Sequence, residues 1–238
     1  MNIGRDFGMN ILAIESTGKT ASIAIGTEEK ILADINLNCG FTHSQTLLPM
    51  INDLLKMVGL SANDINYVAC SSGPGSFTGI KIGVSTAKAF AHALNIPVIN
   101  VPTLDAMALN IFAPGKLIIP IMDARRQQVY CAIYECKNDG SYAKITDYLN
   151  LGIDELIDHA ISLDKKAIFL GDGVGPNKDK IVKANFIIAA EHLNLQTAKS
   201  VVYCAKKMLL DPKSIFSYET FLPYYLRKPQ AEIEAAED

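Results

Sequence analysis

Tryptophan is absent from the 238-residue chain, and there are only four histidines. The five cysteines, Cys39, Cys70, Cys131, Cys136 and Cys204, form no C-x-x-C pair, and His43, His92, His159 and His192 are scattered among them. Zinc needs ligands clustered at short spacing, so no metal site is expected. An odd cysteine count without a secretory signal suits a reducing compartment, and the expected location is cytoplasmic. No apolar run approaches the roughly 20 residues of a membrane-crossing helix. The opening MNIGRDFG lacks the basic and then apolar layout of a signal peptide. The periodic pattern begins only at Met9, so residues 1–8 are read as a tag or an upstream start. Charge of one sign is lacking too. A formal net charge of −3 provides no global basic field for nucleic acid. A local basic patch remains open, although the pairs Lys165-Lys166 and Lys206-Lys207 read as solvated helix faces.

What is present is a hydrophobic fraction of 49%, enough for a substantial core in one large domain or two small lobes. Ile11 to Ile14 is an apolar run ending at Glu15, followed by a polar turn and the alternating strand TASIAIG. A third strand fits Lys30 to Ile35, so the chain opens as a β-meander. THSQTLLPMINDLLKMVGLS then reads as a helix capped at Thr42 or Ser44 and ended at Gly59. Pro49 is expected to start its regular part or to kink it. A short strand at Tyr67 to Ser71, a helix from Gly79 to Leu94, the strand IPVINV and a helix from about Thr103 follow.

The pattern then restarts. LIIPIMDARRQQVYCAIY is again an apolar run, an acidic residue, a polar turn and an alternating strand, with Asp123 falling over Glu15. A hairpin with an acid at its turn at the head of each half points to two α/β lobes. The second half continues with a hairpin strand near 142–148, a helix near 154–161, the buried strand and glycine turn AIFLGDGVGP, and helices near 176–183 and 197–210. The tail FLPYYLRKPQAEIEAAED is expected to be extended, then acidic and frayed. The expected lobes are 9–105 and 106–215, with a tail over 216–238.

SSGPGSFTGIKIG, Ser71 to Gly83, resembles a phosphate cradle at first sight. It fits neither G-x-x-x-x-G-K-[ST] nor G-x-G-x-x-G nor G-x-S-x-G. Gly73-Pro74-Gly75 makes a tight turn, and Ser76 or Thr78 can cap the following helix. The helix N-terminus could still meet an anion. That helix places Ile80, Val84, Ala87, Ala91 and Leu94 on one face and Ile82, Thr86, Ala89 and Ala93 on another. Two such faces imply two neighbours. Either the two N-terminal helices are wholly internal, or their surplus faces pair with a partner.

ILAIESTGKTASIAIG, HSQTLLPMINDLL, GPGSFTGIKIGVSTAKAFAHALNIPVINVPTLDAMA, DARRQQVYCAIY, GDGVGP and YYLRKPQAE occur in this order. Together they resemble the TsaB (YeaZ) family from about Met9 to about Glu232. The resemblance implies the two-lobed fold of the actin, Hsp70 and sugar-kinase ATPases, with a duplicated hairpin-led mixed sheet and flanking helices. It implies a dimerisation or scaffold subunit that stabilises and activates the transferase TsaD, which forms N6-threonylcarbamoyladenosine next to the anticodon of tRNAs. The ATPase TsaE joins the larger assembly, a homodimer can form through the same helical face, and tRNA is engaged indirectly. The partner interface implied is His43, Leu47, Met50, Ile51, Leu54 and Met57 on the first helix, with Phe77, Ile82, Thr86, Ala89 and Ala93 on the second. Ser76, Thr78, Gly79 and Lys81 are the candidates for anion or nucleotide contact. Members often carry arginine at the positions of Ser72 and Lys81, and aspartate at that of Glu15.

Catalytic relatives in this superfamily grip phosphate between two glycine-rich hairpin turns. Here ESTGKT keeps one glycine and DARRQQ none. Thr103 to Met107 also lacks the H-x-x-x-H pair that TsaD carries on the comparable helix. The expectation is a non-catalytic subunit with no cofactor. A stand-alone ATPase or kinase, or a metalloprotease of the same fold, is the alternative.

Overall fold

A computed structural model describes residues 8–40 and 42–227. The expected tag segment up to residue 7 and the acidic end beyond residue 227 lie outside the described residues. The chain opens on the meander β1 (Ile11–Glu15), β2 (Ala21–Gly26) and β3 (Ile31–Leu37). Helix α1 (His43–Val58) leads to β4 (Tyr67–Gly73), α2 (Phe77–Leu94) to β5 (Val98–Pro102), and α3 (Thr103–Ala108) leaves the first half. β1 runs antiparallel to β2 and parallel to β4, giving the order β3-β2-β1-β4-β5.

The second half repeats this order. β6 (Leu117–Asp123), β7 (Gln128–Cys131) and β10 (Leu149–Gly152) form the antiparallel part. β11 (Ala167–Leu170) and β12 (Ile187–Ile188) add in parallel, so β10-β7-β6-β11-β12 mirrors the first sheet strand for strand. Helices α4 (Ile153–Ser162), α5 (Val174–Lys183) and α6 (Ala198–Met208) occupy the places of α1, α2 and α3. β8 (Tyr134–Cys136) and β9 (Tyr142–Lys144) form an inserted hairpin on β6, shorter than the strand expected to reach residue 148. The short β13 (Ile215–Phe216) closes the first sheet beside β5. Asp123 ends β6 as Glu15 ends β1, so the duplicated hairpin read from the sequence is a duplicated lobe.

Alternation within the strands sets where each helix packs. Leu12 and Ile14 of β1 point to the core beneath α1 and α2, whereas Ile11 and Ala13 point to the core beneath α6. α6 falls within the expected 106–215 lobe, yet it packs on β1 and β2 of the first sheet. Conversely, Leu104 and Met107 of α3 pack with Ile118 and Leu170 of the second sheet. The two sheets exchange their last helices. An amphipathic pattern reports that a face is buried, but not against which sheet, so the exchange is invisible in the sequence.

Pro49 does not start α1 but lies inside it, in a helix that runs from His43 to Val58. Gly59 terminates the helix in the left-handed conformation, with φ 73°. Leu47, Met50, Ile51 and Leu54, expected at a partner interface, are instead buried in the first core, each at most 5% exposed. They are the inward stripe of α1, because a stripe at i, i+3, i+4 and i+7 seeks whichever apolar surface is nearest, here the sheet. Leu54→Asp is therefore a folding variant and not an interface probe. A urea titration of the isolated chain is expected to show a loss of at least about 3 kcal/mol; an unchanged midpoint would place Leu54 outside the core.

Candidate functional site

The two hairpin turns face each other across a cleft of about 710 Å³. Its walls are the β1–β2 turn at Thr17 to Lys19, the Pro74–Thr78 loop, the β6–β7 turn at Asp123 to Arg126, Asp172, and the C-terminal stretch Tyr224 to Arg227. The loop that resembles a phosphate cradle is built for close packing. Ser76 N–H donates to the Thr17 carbonyl at 2.7 Å. A side chain at Gly79 would strike the Ser16 carbonyl oxygen, and one at Gly83 the Ser16 hydroxyl. That hydroxyl donates to the Gly79 carbonyl at 2.9 Å. The glycines thus let α2 lie directly on the first hairpin turn. Ser76 is also the N-cap of α2, accepting from Gly79 N–H at 3.3 Å, as expected for a capping serine.

Glu15 sits beneath this junction and is 1% exposed. One of its carboxylate oxygens accepts from both the Thr17 N–H and the Thr17 hydroxyl at 2.6 Å. Burial pushes the Glu15 carboxyl up, against the opposing pull of the neighbouring Ser71 and Thr17 groups. Across the cleft, Asp172 accepts from the Asp123 N–H at 3.2 Å. Burial, reinforced by the charge of Asp123, raises the Asp172 carboxyl as well, with Lys19 opposing.

The second turn is closed by its acid as the first is, but its backbone differs. Arg125, Arg126 and Gln127 are all left-handed, with φ of 63°, 52° and 61°. For residues with a Cβ each costs on the order of 1 kcal/mol or more. The Asp123 carboxylate takes up Arg125, accepting its backbone N–H at 2.8 Å and its guanidinium at 3.3 Å. An amide that could point at a phosphate is thereby bonded to a carboxylate of the same turn.

Residues 39–235 match the family described as TsaD: tRNA N6-adenosine threonylcarbamoyltransferase. The tRNA threonylcarbamoyladenosine biosynthesis protein TsaB of Bacillus subtilis is 30% identical, over 94% of this chain and 96% of that protein. The chain belongs to the TsaB family. The Escherichia coli protein of the same name is 29% identical over 92% of this chain and 95% of its own length. Among solved structures, YeaZ from Pseudomonas aeruginosa superimposes with a TM-score of 0.75 at 23% identity, covering 92% of this chain and all of that one. Its likeness supports the mixed α/β fold of two sheets described above.

In this TsaB-family chain the expected site residues do not form one cluster. Ser76 and Thr78 line the cleft, whereas Gly79 is buried against Ser16. Lys81 turns away, its ammonium 4.1 Å from the Phe77 ring centroid. Phe77 is 40% exposed and stacks at 5.0 Å on Tyr225. His43 is half-buried, with its Nε2–H donating to the Gly18 carbonyl at 3.0 Å, so it secures the first hairpin turn from α1. Met57, Ala89 and Ala93 are exposed, and Ile82 and Thr86 are half-buried. Asp172, Tyr224 and Tyr225 line the cleft, although the sequence reading of GDGVGP and YYLRKPQAE names none of them as a site residue. Asp172 sits in the glycine turn GDGVGP, and only its place after an apolar strand could have marked it. Leu48, next to Leu47 on α1, is exposed.

The raised carboxyl of Glu15 carries a stability signature. A folded-state pKa above the unfolded value, about 4.3, favours folding below that value, and this contribution is lost as pH rises through the folded value. Glu15→Gln keeps an acceptor for Thr17 and removes the ionisation. Its urea midpoint is expected to improve relative to the parent chain as the pH is raised from about 4, the unfolded value; a difference independent of pH would contradict a neutral-favouring site.

Proposed function

We propose that the chain is a non-catalytic subunit in the synthesis of N6-threonylcarbamoyladenosine in tRNA, holding and activating a TsaD-like transferase. The relatives named for this pathway cover almost the whole chain. The observation that carries the scaffold reading is the outer stripe of α2. Thr86, Ala89 and Ala93 face away from the core in a row of small side chains, with half-buried Ile82, itself packed partly on the core, at its end, while the opposite face of the same helix is buried. Small residues let a second helix approach closely, and the apolar area gained on docking supplies the driving force. Met57 on α1 and the Phe77–Tyr225 pair flank that stripe in this reading. Buried Leu47, Met50, Ile51 and Leu54 support it from beneath. The same face would serve a second copy of the chain. A TsaE-like ATPase belongs to the larger assembly, and the setting is the cytoplasm.

The second hairpin turn supports the non-catalytic part. Phosphate held between two turns needs converging backbone N–H groups. Here Arg125 N–H is bonded to Asp123, and the turn carries three side chains where glycine would give access. Among the described residues no helix is long and apolar enough to cross a membrane.

Ala89→Asp tests the docking face without touching the core. Size-exclusion of the chain with a TsaD-like transferase is expected to show a joint peak for the parent chain and separate peaks for the variant, with unchanged circular dichroism. A joint peak that survives the substitution would move the interface elsewhere. ATP turnover by the isolated chain is expected at background; turnover that falls on Asp172→Asn would favour the stand-alone ATPase.

A further inference from the structure

The first sheet is covered by α1 and α2 on one face and by α6 on the other. Anything docked on α1 and α2 therefore leaves the outer surface of α6 open. That surface carries Lys199, Tyr203, Lys206 and Lys207, of which Lys199, Tyr203 and Lys207 are exposed. The ammonium of Lys206 lies 5.3 Å from the Tyr203 ring centroid, and that of Lys207 lies 5.5 Å from the Tyr142 ring on β9. From the same strand Lys144 sits 3.8 Å over the Tyr148 ring. Three lysine–tyrosine pairs thus run from a helix on the first sheet to a hairpin on the second.

A ring face holds an ammonium while its remaining N–H groups point outward, so these cations are positioned and not merely solvated. Lys199 and Lys207 stand about 12 Å apart along α6 at 1.5 Å per residue. That length passes about three phosphates of a duplex strand, at one per roughly 3.4 Å of axis. In a chain with a net charge of −3 the row is a local excess of positive charge. The nearby carboxylates are partly engaged: Asp105 accepts from the Tyr134 hydroxyl at 2.6 Å and pairs with Lys144 at 3.1 Å, while Glu28 acts on Lys206. Exposed Tyr203 adds a flat ring edge among these cations, a combination that suits phosphates and bases together. An acidic protein segment would use the cations alone.

We propose that this lysine–tyrosine row on α6 and β9 is a contact for the tRNA backbone, on the face opposite the partner helices. The proposal rests on the role in tRNA modification argued above. The test uses the complex with the transferase, with unmodified tRNA as the probe and anisotropy read at several salt concentrations. Lys199→Glu, Lys206→Glu and Lys207→Glu combined are expected to weaken binding at least tenfold. The slope of log affinity against log salt should flatten by about 2, at roughly 0.7–0.9 for each phosphate that the protein no longer neutralises. Lys206→Arg with Lys207→Arg should keep both close to the parent values. A folded triple variant with unchanged affinity and slope overturns the proposal. So does a triple variant that releases the transferase while the RNA affinity of the remaining complex holds, because the row is then a protein contact. A parent complex that binds tRNA through these lysines yet forms no modified adenosine overturns the functional role and leaves the row standing.

Discussion

The fit of α2 against the first hairpin turn governs the rest of the molecule. Gly79 and Gly83 bring the helix into contact with Ser16, and Ser76 N–H fastens the loop to the Thr17 carbonyl. Because that approach is so close, the first turn of α2 cannot rotate or withdraw without breaking buried hydrogen bonds. Each such break would leave polar groups without partners in a dry site. The same contact fixes two surfaces at once. Inward, it sets the floor of the cleft over Glu15. Outward, it sets the direction in which Thr86, Ala89 and Ala93 are presented. One packing constraint therefore links the cleft to the helix face proposed for a partner.

The exchange of α3 and α6 between sheets adds a second constraint. Each sheet is completed by a helix that the other half of the chain contributes, through Leu104 and Met107 in one direction and Val201 and Val202 in the other. Tyr224 adds a further link, donating its N–H to the Ser72 carbonyl at 2.8 Å while its ring meets Tyr148 edge-on at 5.8 Å. Separating the two sheets would have to break these crossings.

Much of the fold was legible in residues. The acid-ended hairpins at Glu15 and Asp123 announced the duplication, Ser76 announced its cap, and Gly59 announced the end of α1. What stayed hidden depended on which neighbour a face meets. The inward stripe of α1 is equally apolar whether it faces a sheet or a second chain, so Leu47, Met50, Ile51 and Leu54 could be read either way until the sheet was in place. The left-handed residues Arg125, Arg126 and Gln127 were also hidden, since none of them is a glycine or an asparagine that would advertise that conformation. The hairpin carries them because Asp123 and the strand pairing on either side determine the turn.

Dependence of the modified nucleoside on the chain tests the central claim most directly. The measurement is the mass-spectrometric threonylcarbamoyladenosine content of tRNA after reaction with TsaD-like and TsaE-like proteins, with and without this chain. The account predicts product only when the chain is present. Equal product in both reactions would contradict it and return attention to the cleft between the two hairpins as a site with an activity of its own.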